Sequence, residues 1–231
     1  MTSRPERPLD PSEILRNEAE AKMFLAQARK ESALAKQETD KAAIGAFDRD
    51  RAEERREKEL ATDEKHHLYR FVGSVGESSV RTCINQLEQW HRLDRGCEIE
   101  IEFFSPGGEV ISGMALFDRI LQLRRQGHHV ATTAAGYAAS MGGILLQAGD
   151  HRAMHRESYL LLHEISAFAR GKLPEMEDEI EFMKMIEKRV LRIFSERSKL
   201  SAASIKTRWR RKDWWLDSDE ALKFGFVDEV R

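Results

Sequence analysis

Cysteine is almost absent: the 231-residue chain has two, Cys83 and Cys97. Fourteen positions apart and with no CxxC spacing, they predict neither a disulfide framework nor a zinc site. Proline is sparse too, with 5 residues, and no apolar run approaches the ~18–20 residues of a membrane helix. The opening MTSRPERPLDPSE has no apolar signal-peptide core. A surplus of charge of one sign is missing too. The 38 basic and 40 acidic side chains leave a net charge of −2, whereas a dedicated nucleic-acid binder usually carries a basic excess. These absences predict a protein of a reducing cytoplasm, with no membrane and no nucleic acid among its partners.

What is abundant is charge, 34% of residues against roughly 25% in an average domain. Much of it lies in residues 1–65, which hold 14 Lys/Arg and 16 Asp/Glu. Beyond Pro11 this stretch is mostly Ala, Glu, Lys, Arg and Gln, all good helix formers, with Gly45 its one glycine. Acid–base pairs such as Glu18–Lys22 and Glu54–Lys58 stand at i,i+4. The apolar stripe is thin (Ile14, Met23, Phe24, Leu34, Ile44, Phe47). The pattern predicts a charged, solvated helical arm broken around Gly45. It is read as an exposed or partly disordered segment, an oligomer-contacting helix, or a removable pro-segment.

From residue 66 onward the texture becomes that of a globular domain. Strands are predicted at 67–72, 97–104, 129–134, 151–154, 158–163 and 225–230. Helices are predicted over 78–92, 110–125, 144–148, 201–210 and 219–224, and a long amphipathic one starts at Pro174 (Met176, Ile180, Met183, Ile186, Val190, Phe194). Most of that helix's stripe is read as core. Strand–helix–strand alternation predicts an α/β domain over residues 66–231 with largely parallel strands.

Three short stretches can carry chemistry. In Gly136-Tyr-Ala-Ala-Ser140-Met141-Gly-Gly143 a serine stands among residues with almost no side chains at a strand-to-helix junction. A serine hydroxyl needs a base to become a nucleophile, and the same serine also suits a plain N-cap. Ser158-Tyr-Leu-Leu-Leu-His163 ends an apolar strand in histidine, where α/β folds place functional groups. Ser105-Pro-Gly-Gly108 is a turn whose glycines let backbone N–H groups face a cleft, though Pro-Gly is also an ordinary turn.

In chain order, Ser105-Pro-Gly-Gly108, Gly136-x-Ala-Ala-Ser-Met-Gly142, Leu-Leu-x-Ala-Gly149, Leu162-His163 and Asp213-x-x-Leu-x-x-x-Glu-Ala-x-x-x-Gly-x-Val-Asp228 resemble the proteolytic subunit of the Clp protease over some 160 residues. The resemblance implies an α/β fold of the ClpP/crotonase-type spiral of ββα units. It also implies a serine endopeptidase. Ser140 matches the nucleophile, His163 the general base and Asp213 the acid that orients it, while Gly108 and Met141 match the backbone donors of the oxyanion hole. Asp217, Asp219 and Asp228 are the nearby rivals of Asp213. No metal and no organic cofactor are implied. The implied partners are polypeptide substrates, further copies of the chain in stacked rings (heptamers in the stacked form), and an AAA+ unfoldase.

The sequence departs from the family at several points. Phe104 stands where Asn is usual, Glu164-Ile165 replaces Gln-Pro after the histidine, and residues 166–172 are poor in glycine, which puts peptide recognition in doubt. Glu164 is expected to place a carboxylate beside the base. The arm replaces the family's short axial loops and resembles those of phage head-maturation proteases, whose partners are capsid or scaffold proteins. Other readings are an inactive scaffolding ring subunit and a crotonase-like acyl-CoA enzyme. The Ser–His pair counts against the second.

Overall fold

The computed structural model describes residues 11–166 and 172–231. The chain divides into two compact units, one ending at Glu57 and one running from Lys58 to Arg231. The first is helix. α1 spans Pro11–Ala61 without interruption, passing through Gly45 rather than breaking there. A single glycine in an exposed helix costs only ~1 kcal/mol relative to alanine, and the helix formers on either side outweigh it. Its apolar side chains Met23, Phe24, Leu34, Ile44 and Phe47 are all exposed. No helix among the described residues is long and apolar enough to cross a membrane.

The second unit is an eight-stranded mixed sheet with helices packed on it. The strands are β1 (Thr62–Asp63), β2 (Leu68–Val72), β3 (Glu98–Ser105), β4 (His129–Ala139), β5 (His151–Met154), β6 (Tyr159–Leu162), β7 (Trp214–Leu216) and β8 (Glu229–Val230). They run in the order β1-β2-β3-β4-β5-β8, with β6 pairing β4 and β7 pairing β6. Pairings are parallel except β1–β2 and β6–β7. The alternating run in β3 buries Ile99, Ile101, Phe103 and Ser105 on one face. Helix α2 (Glu77–Leu93) lays Val80, Cys83, Leu87 and Trp90 into the core, and each large apolar side chain so buried contributes about 1.5–3 kcal/mol. Helix α3 (Val110–Arg125) buries Leu116, Ile120 and Leu123.

β4 is longer than the periodicity predicts, because the small-residue stretch begins as strand. Over Ala131–Ala134 it pairs with β5, and over Tyr137–Ala139 with β6. The switch occurs at Gly136, which has φ 75° and whose N–H donates to Ser158 Oγ at 2.8 Å. The register against β3 slips at the same place. A Cβ at Gly136 would lie 2.9 Å from the Phe104 ring, which stacks edge-on against Tyr137. Phe104, the departure from the family's Asn, therefore fits a glycine opposite it.

Helix α5 (Leu173–Glu196) is core only in its last two turns, where Val190, Leu191, Ile193 and Phe194 are buried. Of the predicted stripe, Ile180 is exposed, Met176 and Met183 are half-buried, and Ile186 packs against the core, while Phe182 and Met185, outside the stripe, are exposed. The Phe194 ring meets Trp209 of α6 (Ala202–Trp209) and Phe226, and Phe226 meets Trp214. This aromatic cluster seats β7, whose three residues are too few for a period-2 signal. Only Glu229–Val230 of the predicted last strand is paired. Just before it, Asp228 clasps the buried Arg152 side chain through both carboxylate oxygens and accepts the Arg152 N–H at 2.9 Å.

Candidate active site

The parts of the site converge at the C-terminal ends of parallel strands. β4 runs into helix α4 (Met141–Leu146) through Ser140, so the serine sits on a strand-to-helix turn. Its backbone has φ 53° and ψ −119°, in the left-handed half of conformational space where non-glycine residues are rare. Such strain persists only where the surroundings fix it. Here Ser140 N–H donates to Leu161 O at 3.0 Å, and Ser140 O accepts from Ile144 N–H at 3.2 Å. The turn is also pressed from outside. Gly107 packs so closely that a Cβ there would lie 2.6 Å from Ser140 Cβ and 2.9 Å from Met141 N. The 105–108 turn is held by Ser105, whose buried Oγ accepts the Gly107 N–H, and by Val75, whose carbonyl accepts the Glu109 N–H.

Ser140, His163, Gly108 and Met141 line one small pocket of about 80 Å³, together with Val110, Ile144, Leu162, Ile165, Ser166, Val190 and Phe194. Its lining mixes apolar side chains with the polar groups of Ser140, His163 and Ser166. Among the described residues, neither the Gly108 N–H nor the Met141 N–H has a hydrogen-bond acceptor, and the Ser140 hydroxyl has no partner. Met141 is the first residue of α4, whose leading N–H groups have no intrahelical acceptor. Two free donors therefore share the pocket with the hydroxyl.

His163 follows directly on β6. Its Nδ1 is hydrogen-bonded to the Glu164 carbonyl oxygen. A carbonyl only accepts, so the proton resides on Nδ1 and the lone pair on Nε2. That is the tautomer a general base requires, although here a carbonyl and not a carboxylate selects it. The Glu164 carboxylate does not face the ring as expected. It accepts the N–H of Arg211, a residue at φ 57°, at 2.9 Å.

Asp213 is exposed and lies outside the pocket lining, without a hydrogen bond or ion pair among the described residues. Its backbone is nevertheless well placed. β6 and β7 pair Leu160 with Leu216, Leu161 with Trp215 and Leu162 with Trp214; the pairing ends there, and extending its register one step outward would set His163 opposite Asp213. The rival aspartates are occupied elsewhere. Asp217 caps helix α7 (Ser218–Phe224) by accepting Glu220 N–H, Asp219 pairs with Arg156 at 2.7 Å, and Asp228 holds Arg152. Burial raises the Asp228 carboxyl pKa, but hydrogen bonds from the Arg152 side chain and amide outweigh it and hold the group below the usual carboxylate range.

Sequence reasoning named Gly107 within its turn and Glu164 beside the base, but not the contacts they make. Gly107, in the turn it did single out, carries the contact to the elbow. Glu164 bridges the base and the turn before Asp213. Only the structure pairs these segments, which are distant along the chain. The glycine-poor segment expected to meet substrate lies, at positions 167–171, outside the described residues.

Comparison with known proteins agrees with this architecture. The family model of the Clp protease matches residues 61–231. The chain is 30% identical over 163 residues to the ATP-dependent Clp protease proteolytic subunit of Deinococcus radiodurans, covering 69% of this chain and 78% of that protein. It is 29% identical over 165 residues to the protein of the same name from Bacteroides fragilis, covering 69% and 77%. The chain belongs to the Clp protease family of peptidases.

Proposed function

We propose that the chain is a serine endopeptidase that cleaves polypeptides with Ser140 as nucleophile, His163 as general base and Asp213 as the residue that orients the base. His163 Nε2 takes the hydroxyl proton as Ser140 Oγ attacks the peptide carbonyl. The Gly108 and Met141 N–H groups receive the oxyanion. The imidazolium then protonates the leaving amine, and water releases the acyl group by the same steps in reverse order. The observation that carries this reading is the strained Ser140 elbow sharing one small pocket with His163 and two unengaged amides.

In this reading the site works inside an assembly of identical chains. The exposed Ile180, Phe182 and Met185 on the first half of α5 are the surface such an assembly buries. The names of the relatives pair proteolysis with ATP dependence, and by that analogy a separate unfoldase delivers the substrate. Labelling with a fluorophosphonate tests the core of the proposal. One adduct is expected on the wild type and on Ser112→Ala, which removes the α3 hydroxyl that donates to Glu109, and none on Ser140→Ala. An adduct that survives Ser140→Ala, or a folded wild type that takes none, refutes it.

A further inference from the structure

At the opposite end of β3 from the proposed nucleophile, three side chains with metal-binding atoms converge. One nitrogen of His67, one carboxylate oxygen of Asp94 and Cys97 Sγ all lie within 4.8 Å of one another. They come from three separate places. His67 ends the turn before β2, Asp94 is the C-cap of α2, and Cys97 immediately precedes β3. We propose that these three residues form a site for a divalent ion of the zinc class, with water in the fourth position.

Four observations carry the proposal. First, two of the three donors are uncommitted. Among the described residues, neither the His67 ring nitrogens nor the Asp94 carboxylate has a hydrogen-bond or ion-pair partner. Second, the arrangement is imposed. His67 has φ 48°, its carbonyl accepts the Glu100 N–H at 3.0 Å, and its ring stands edge-on to Trp90 with centroids 5.4 Å apart. Third, Asp94 stands at the C-terminal end of a helix, where the dipole disfavours an anion and a bound cation would reverse the balance. Fourth, a supporting shell is present. His128 Nδ1 lies 3.1 Å from the Cys97 carbonyl and 3.4 Å from its sulfur, so that nitrogen carries the proton and can donate to a thiolate. His128 Nε2 then accepts from His91 Nδ1–H at 2.8 Å. Metal ligands characteristically receive such outer hydrogen bonds.

The chemistry is balanced. On binding, the Cys97 S–H bond breaks, a sulfur–metal bond forms and the proton passes to water. One thiolate, one carboxylate and a neutral imidazole neutralise a dication. Nitrogen, oxygen and sulfur donors together select zinc over magnesium or calcium. Tetrahedral zinc spaces its ligand atoms about 3.3–3.8 Å apart, given bonds of ~2.0–2.3 Å, so a closure of roughly 1 Å completes the site. The eight residues of β3 separate it from the 105–108 turn by about 25 Å. Its effect is therefore to staple α2 to the starts of β2 and β3. The absence of CxxC spacing hid it from sequence reading, because its ligands come from three segments.

The test is titration of the chelator-treated full-length chain with Co²⁺, followed by displacement with Zn²⁺. One equivalent is expected to produce tetrahedral ligand-field bands and a thiolate-to-cobalt charge-transfer band. Cys97→Ser should abolish the charge-transfer band, and Asp94→Asn, at an exposed position, should weaken affinity at least ten-fold. His128→Gln should weaken it ~10–100-fold through the outer shell. His151→Ala, outside the cluster, should change nothing. Absence of the charge-transfer band in the wild type, its persistence in Cys97→Ser, or unaltered affinity in Asp94→Asn overturns the proposal. The Asp94 variant decides the matter should Cys97→Ser fail to fold.

Discussion

Replacing Gly107 by alanine separates the geometry of the site from its chemistry, since every proposed catalytic group is kept and only its position changes. The new methyl group would meet Ser140 Cβ at 2.6 Å, Ala139 O at 2.7 Å and Met141 N at 2.9 Å. Carbon atoms pack comfortably at about 3.5–4.0 Å, so the elbow and the 105–108 turn must part by roughly 1 Å. The backbone at φ 91° adds about 1–2 kcal/mol for a residue with a Cβ, and overpacking typically adds ~1–3 kcal/mol more. A misplacement of that size costs on the order of 100-fold in rate, equivalent to about 2.7 kcal/mol of barrier. Gly73→Ala is the matched control. Its φ of 99° carries the same backbone cost, but nothing lies within 4 Å of the added Cβ. Urea midpoints should fall in both variants. The second-order rate of fluorophosphonate labelling should fall about 100-fold in Gly107→Ala and stay within about two-fold of wild type in Gly73→Ala. A folded Gly107→Ala that labels at the wild-type rate would show that the elbow does not depend on the glycine turn.

Asp213→Asn should lower the labelling and peptide-cleavage rates by roughly 10⁴-fold with little change in thermal midpoint, because the side chain is exposed and unpaired. An unchanged rate would assign the orienting role to the Glu164 carbonyl alone. Asp228 has a depressed folded pKa, so its contribution to stability is complete above the unfolded value of about 3.9 and is lost as pH falls through the folded one. The thermal midpoint of the wild type should therefore drop below about pH 4 by more than that of Asp228→Asn, which starts lower. Parallel curves for the two proteins would refute the linkage. Arg152→Met should cost ~3 kcal/mol in urea unfolding, the low end for breaking a buried pair, because Asp228 is 37% exposed. Gly45→Ala should raise the helical content or thermal midpoint of the arm, by up to ~1 kcal/mol, as read by circular dichroism. No change would show that the arm's helix does not depend on local propensity.

The parallel sheet was legible because its strands are long enough to alternate and its glycines mark the ends. The 98–105 run and the 110–125 helix follow directly from period and stop signals. β7 was not legible, since three residues carry no period and its place is set by the Phe194, Trp209 and Phe226 rings. The full extent of β4 was hidden for a related reason. Gly136 reads locally as a turn, but the strand continues there by exchanging one neighbour for another. Of the site, Ser140, His163, Gly108 and Met141 were legible only as an ordered set of motifs, each of which has an ordinary structural use. Their meeting in one pocket depends on the β4–β6 pairing, which local sequence does not encode. In α5 only Ile180 of the stripe read as core is exposed, and the exposed Phe182 and Met185 carried no periodic signal of their own.

In the proposed mechanism the remaining step is a change of partner at a single nitrogen. His163 Nδ1–H now donates to the Glu164 carbonyl, and transfer to the Asp213 carboxylate would keep the same tautomer. Nε2 is thus ready to accept a proton in either arrangement. The exchange replaces a neutral hydrogen bond, worth about 0.5–1.5 kcal/mol, by one to a charged group, worth about 1.5–3 kcal/mol. The gain is largest where water is excluded, and Asp213 is now exposed, so solvation of its carboxylate offsets most of it. Glu164 holds both ends of the exchange, its carbonyl on the imidazole and its carboxylate on the Arg211 amide, two residues before Asp213. Whatever covers the 211–213 turn raises the value of the carboxylate contact and leaves the carbonyl contact nearly unchanged. Covering that turn, by substrate or by a neighbouring chain, is therefore the event that would convert the pre-set tautomer into an oriented base.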